Sequence, residues 1–275
     1  MTAIATTTTE IDVLKARLKA TWMDGNYDYF SRFMESSAVQ FLDRLTIVPG
    51  SAFLDVACGS GQLGLIAARR GASVTGIDIA ANWVRAARGR AASEGLDARF
   101  DEGDAEALPY TDASFDVVAS IYGAMFAPRP NLVASELLRV CRPGGTIAMG
   151  NWTAEGFIGK MFKTVARFIA PPGMPSPVLW GNEHVVRERF GAGVSDLQLA
   201  RVRYRFDYPF APAGVVEFFR RNYGPTTRAF ATLGEAERAA LRQDLVDLWT
   251  SHNRASEPGR TVVDAEYLNV VATRA

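Results

Sequence analysis

Asp55, Gly59, Gly61 and Asp78 are the residues whose types and spacing could do chemistry together. The stretch "FLDVACGSGQLG", residues 53–64, satisfies both G-x-G-x-x-G and D-x-x-x-G-x-G. Glycines at such a turn let a ligand approach the backbone, because no Cβ stands in the way. A helix starting just beyond them aims its free N–H groups at the gap. Asp78 stands about 20 residues after Gly59, where an acid can accept from both hydroxyls of a ribose. The constellation predicts an adenosine-containing ligand and by itself leaves nicotinamide and other adenosyl cofactors open. Asp55 argues against a pyrophosphate, which a neighbouring carboxylate repels, and for a group carrying an ammonium. Asp104, in "EGDAEALPY", adds a polar group placed to accept from an adenine amine.

These residues need a scaffold, and the pattern around them supplies one. Short apolar runs ("AFLDVAC", "ASVTGID", "FDVVASIY", "GTIAMGNW") and one shorter, more polar strand ("DARFDEGD") alternate with helical segments from residue 51 to 152. Such alternation predicts an α/β fold: a doubly wound, Rossmann-like sheet, mostly parallel. "AEYLNVVATR" is expected to close the sheet as an antiparallel strand, and "LQLARVRYRFDYPF" to form a long strand before it. Ile11, Leu14, Leu18 and Trp22 recur at helical spacing, so a helix is predicted over 10–22, and a second over Tyr27–Leu45. Residues 1–9 read as a frayed tail and 10–275 as a single domain: N-terminal helices over 10–49, a cofactor-binding core over 50–152, and acceptor-site or lid insertions over 153–181 and 208–261.

Together, the glycine turn, Asp78, "EGDAEALPYTDASFDVV" and "ELLRVCRPGGTIAM" resemble the class I S-adenosylmethionine-dependent methyltransferases, with the nearest likeness to the ubiquinone/menaquinone-type small-molecule subgroup. The resemblance is well defined over about residues 50–152. It implies that Gly59 and Gly61 admit the methionine part of S-adenosylmethionine and that Asp55 lies near its ammonium, directly or through water. It implies that Asp78 holds the ribose, Ile79 packs on the adenine, Asp104 accepts from the adenine amine and the Ala105 N–H donates to the ring. Ser120 and Tyr122 then border the methionine part and the methyl group, and Gly64 is a helix–sheet packing glycine. Trp83 departs from the pattern, which usually has a smaller apolar residue there. The competing readings are an NAD-dependent oxidoreductase on the same kind of sheet and a non-catalytic module that binds the cofactor.

Methyl transfer from a sulfonium is an in-line displacement that demands alignment and exclusion of water more than acid–base groups. No catalytic residue is therefore fixed by the sequence. His184 is a candidate base or a surface helix residue, Tyr27 a lid or a staple for the N-terminal helices, and Tyr122 a pocket wall or a core residue. His252 reads as a charge partner at a helix C-terminus. The expected acceptor is a small, partly apolar metabolite. Lys+Arg and Asp+Glu both total 30, so no basic excess points to nucleic acid. No apolar run approaches the roughly 18 residues of a membrane helix, and the N-terminus lacks a secretory pattern. Two cysteines without metal spacing predict no metal and a reduced, cytoplasmic setting.

Overall fold

The computed structural model describes residues 9–275; the expected tail at 1–9 lies almost wholly outside them. Three helices come first: α1 (Glu10–Met23), α2 (Tyr27–Arg32) and α3 (Glu35–Leu42). The βα core follows as β1 (Ala52–Val56), α4 (Gln62–Arg69), β2 (Ser73–Asp78), α5 (Ala81–Glu94), β3 (Ala98–Glu102), β4 (Phe115–Ile121), α6 (Pro130–Val140) and β5 (Cys141–Trp152). Then come α7 (Phe157–Ala166), α8 (Glu183–Phe190), β6 (Val194–Tyr208), α9 (Pro212–Asn222), α10 (Gly224–Thr232), α11 (Glu235–His252) and β7 (Thr261–Arg274).

The seven strands form one sheet in the order β3-β2-β1-β4-β5-β7-β6. The first five are parallel, and β7 runs antiparallel to both β5 and β6. This is the α/β, mostly parallel sheet expected from the alternation. β1 and β4 are almost continuously apolar because helices cover both faces of the sheet. The order reverses between β1 and β4, so a crevice opens at their carboxyl ends, where ligands of such sheets sit.

The second predicted helix is two. The chain leaves helical geometry at Met34 (φ −116°, ψ 4°) between α2 and α3. The turn lets the Phe33 ring lie 4.9 Å from Phe218 and 5.5 Å from Tyr208, a tertiary demand that outweighs local helical periodicity. α1 begins in a capping box, with Thr9 and Asp12 satisfying each other's backbone N–H.

Beyond the parallel core, α9 and α11 cover the antiparallel end of the sheet with aromatic rings. Trp249 on α11 is buried against Phe157, Phe206, Tyr208 and Phe219. Trp249→Ala is expected to lower unfolding stability by about 3–5 kcal/mol, since it removes the ring at which α7, α9, α11 and β6 meet. Urea denaturation of the full chain measures this, and a loss below 1 kcal/mol would mean that the region collapses onto the void.

Candidate active site

The glycine turn is built by backbone conformations that ordinary residues avoid. Ala57 (φ 57°), Gly59 (φ 53°) and Gly61 (φ 82°) all lie in the left-handed region. The Cys58 N–H donates to the Ile77 carbonyl and the Gly61 N–H to the Cys58 carbonyl, which fold the turn over the end of β2. Asp78 locks it: one carboxylate oxygen accepts from the Gly59 N–H at 2.8 Å, the other from the Ala80 N–H at 2.8 Å. Asp78 thus ties the turn after β1 to the start of α5.

A cleft opens above this turn at the carboxyl ends of β1–β4. Of the residues singled out in the sequence, Gly59, Asp78, Ile79, Asp104, Ala105, Tyr122 and Tyr27 line it. The structure does not bring Asp55, Gly61 or Ser120 to its surface. Asp55 is 1% exposed beneath the turn, where its Oδ2 accepts the Gly64 N–H at 2.9 Å. Gly61 faces the Ala87 methyl and the Phe100 ring, each 3.0 Å from where a Cβ would stand. The Ser120 hydroxyl accepts the Ala124 N–H and shapes the turn after β4. Gly64 packs a Cβ-less backbone against Val74, Asp55 and Phe100. His184 lies elsewhere, 82% exposed on α8 and 3.2 Å from Glu188.

The electrostatics of the turn are unusual. Burial pushes the Asp55 carboxyl up to about 7, with the Asp78 charge adding to the effect. Burial pushes the Asp78 carboxyl up as well, despite the backbone N–H groups that favour its charge. No lysine or arginine is paired with either among the described residues. A pair of desolvated carboxylates without a counter-cation attracts positive charge and repels a phosphate.

Several residues at the site carry no local sequence signal. Lys15 and Trp22, on α1, line the cleft. The Lys15 ammonium bonds the Asp104 carboxylate and lies 2.5 Å from Glu106. The Glu106 side chain is fully buried and also takes the Arg129 guanidinium and its backbone N–H, each at 2.6 Å. Trp83 donates its indole N–H to the Trp22 carbonyl at 2.6 Å, which clamps α1 over the cleft. Glu106→Ala is expected to cost about 2–3 kcal/mol in a urea melt. That is less than for a fully buried pair, because Arg129 is half exposed and Lys15 keeps Asp104.

Tyr27 and Tyr122 form the inner wall. The Tyr27 ring covers the glycine turn, its Cε1 2.9 Å from where a Gly59 Cβ would stand. Tyr122 holds a left-handed backbone (φ 57°), strained for so bulky a residue. Its N–H donates to the Gly150 carbonyl, its hydroxyl lies 2.7 Å from that of Ser37, and its ring stacks 3.8 Å from Trp152. Behind these two tyrosines lies a second, smaller chamber that shares Trp22 and Phe126 with the cleft.

A parallel sheet reversing between β1 and β4, with a glycine turn, an acid at the tip of β2 and a crevice at the switch point, is a Rossmann-like architecture built to hold a ligand there. Residues 54–149 match the methyltransferase domain family. An uncharacterized protein of Mycobacterium tuberculosis is 37% identical over 98% of this chain and 99% of its own length. The 27-O-demethylrifamycin SV methyltransferase of Amycolatopsis mediterranei is 36% identical over 46% of this chain and 50% of its own. The YcgJ protein of Bacillus subtilis shares the fold with a TM-score of 0.60 at 17% identity, over 87% of this chain and 99% of its own. The chain belongs to one family with the mycobacterial protein, and within it residues 54–149 form a methyltransferase domain.

Proposed function

We infer that the protein transfers a methyl group from S-adenosylmethionine to a small, partly apolar metabolite, in the manner of the ubiquinone/menaquinone-type subgroup. One observation carries this reading above the nicotinamide alternative: two carboxylates flank the glycine turn with no lysine or arginine paired to them among the described residues, Asp55 buried beneath it and Asp78 part-buried at the cleft wall, both pushed up by loss of solvent. A pyrophosphate would meet repulsion there, whereas the ammonium and sulfonium of S-adenosylmethionine would be attracted.

The residues present suit that cofactor. Asp78 keeps acceptor capacity for ribose hydroxyls, since each carboxylate oxygen can take more than the single N–H it now holds. Gly59 keeps the turn open, and Ile79 and Ala105 give the cleft an apolar wall for adenine. Asp55 acts from beneath the turn, through its field, with Gly61 and Ser120 holding the walls in shape. When bound, the cofactor supplies a methyl group already activated by the positive charge on sulfur. The chain's own task is to orient the acceptor, exclude water and surround the reacting centre with the faces of Trp22, Tyr27, Tyr122 and Phe126.

Acceptor choice falls to the parts outside the 50–152 core: the N-terminal helices, 153–181 and 208–261. A cytoplasmic setting accords with two free, buried cysteines. No helix among the described residues is long and apolar enough to cross a membrane. Titration calorimetry with S-adenosylhomocysteine and with NAD tests the reading. Binding of the first and not the second is expected; tight NAD binding without S-adenosylhomocysteine binding would replace it with the oxidoreductase.

A further inference from the structure

The chamber behind Tyr27 and Tyr122 has a chemistry of its own. Nine of its twelve lining residues are aromatic, and the others are Met34, Ile158 and Met161. Among the described residues, no acid, lysine, arginine or histidine lines it. Its only titratable groups are the phenols of Tyr27, Tyr122 and Tyr223, and burial pushes all three up, so they stay protonated and take no proton from an acceptor. The two histidines are engaged elsewhere: His184 is on the outer face of α8, and the His252 ring lies against Lys160 and the Leu248 carbonyl. Asp78 lines the cleft and not the chamber, with both its oxygens accepting backbone N–H groups. The chamber measures about 30 Å³, room for roughly two water-sized groups, which suits the reacting end of an acceptor.

An acceptor that attacks there must do so without giving up a proton to the protein. An alcohol is too weak a nucleophile without a base. A phenolate or carboxylate would place an anion among ring faces that are themselves negative. An ammonium has no lone pair. Of these oxygen and nitrogen acceptors, a neutral amine alone meets every condition. Its nitrogen lone pair forms the N–CH3 bond while the C–S bond breaks and its electron pair returns to sulfur. The positive charge passes from sulfur to nitrogen, and any proton on that nitrogen stays until the product reaches water. The ring faces stabilise the charge at both ends of that path.

We propose that the chamber is the acceptor site and takes the uncharged amine of a small apolar molecule, making the protein an N-methyltransferase. This rests on the methyl-donor reading above. The test uses the full chain saturated with S-adenosylhomocysteine, so that the carboxylates of the glycine turn are already served. Trimethyl(2-phenylethyl)ammonium, which mimics a methylated product, is titrated against its neutral isostere (3,3-dimethylbutyl)benzene, with tryptophan fluorescence as the readout. The cation is expected to bind at least tenfold more tightly. Equal affinity, tighter binding of the isostere, or binding of neither would overturn the proposal. In parallel, methyl-labelled S-adenosylmethionine is supplied with N-methyl-2-phenylethylamine, 2-phenylethanol or 4-ethylphenol, and label appearing in either hydroxyl compound would also overturn it. Failure of S-adenosylhomocysteine to bind in the prior calorimetric titration strikes the methyltransferase reading instead, so the two failures are told apart.

Discussion

Asp78→Asn is expected to weaken S-adenosylhomocysteine binding by about 1.5–3 kcal/mol, roughly 10- to 150-fold, while leaving the free protein at least as stable as the wild type at pH 8. The two halves of this expectation have one origin. In the free protein the Asp78 carboxylate is part-buried and has no paired cation among the described residues, and that burial holds its carboxyl above the ordinary range. The sign follows: for an acid whose folded value is raised, stability is fully present below the unfolded value and is lost as pH rises through the folded one. At pH 8 the ionised side chain is therefore a cost, which asparagine removes while keeping an oxygen for either the Gly59 or the Ala80 N–H. A ribose loses a charged double acceptor and gains nothing in exchange. If Asp78 served only to cap α5 and brace the turn, the variant would melt lower and bind unchanged. Differential scanning calorimetry and titration calorimetry on the same preparation distinguish the two. Asp78→Ala adds a check, because it also leaves both N–H groups without a partner and should lose stability relative to asparagine.

The parallel core was legible because its signals are local. Strands β1, β2 and β4 are short apolar runs, and the helices after them show their own periodicity and stops, as with Gly95 after α5 in a left-handed cap. The break between α2 and α3 was not legible, because nothing within residues 27–45 marks Met34; the reason sits in Tyr208 and Phe218, far along the chain. The same distance hides the charge cluster of the cleft. Lys15 and Asp104 lie 89 positions apart, and nothing in the sequence pairs the acid expected at the adenine with a lysine of the first helix. Asp55 illustrates a subtler limit. Its spacing to the glycines suits either a ligand's ammonium or the N–H groups of the next helix. Only three-dimensional placement shows its Oδ2 on Gly64 and the side chain beneath the turn. The strained backbone of Tyr122 likewise has no sequence signature, since tyrosine is an uncommon choice for a left-handed position and is held there by Gly150, Ser37 and Trp152.

That buried position gives Asp55 a measurable consequence. With its carboxyl pushed up to about 7, Asp55 in the free protein is mostly protonated at pH 6 and mostly ionised at pH 8. A ligand bearing an ammonium above the turn favours the ionised form, so below pH 7 binding must expel a proton. Affinity for S-adenosylhomocysteine is expected to rise by up to tenfold per pH unit between about pH 5 and 7 and to level off above. The apparent binding enthalpy should vary with the ionisation enthalpy of the buffer at pH 6 and not at pH 8. Asp78 is shifted in the same direction, so the wild-type profile belongs to the pair. Asp55→Asn isolates the contribution: it keeps an acceptor for the Gly64 N–H, and it should flatten the rise and weaken binding at pH 8. Stability of the free protein moves the opposite way with pH. The contribution of Asp55 is fully present below its unfolded value near 4 and lost as pH rises through 7, on the order of 4 kcal/mol if the whole shift is realised. The cation would then bind most tightly in the pH range where the free site is least stable, because the same uncompensated charge drives both effects. An affinity independent of pH from 5 to 8, with no proton released, would show that Asp55 is only a cap for α4 and that the pull on the cofactor comes from Asp78 alone.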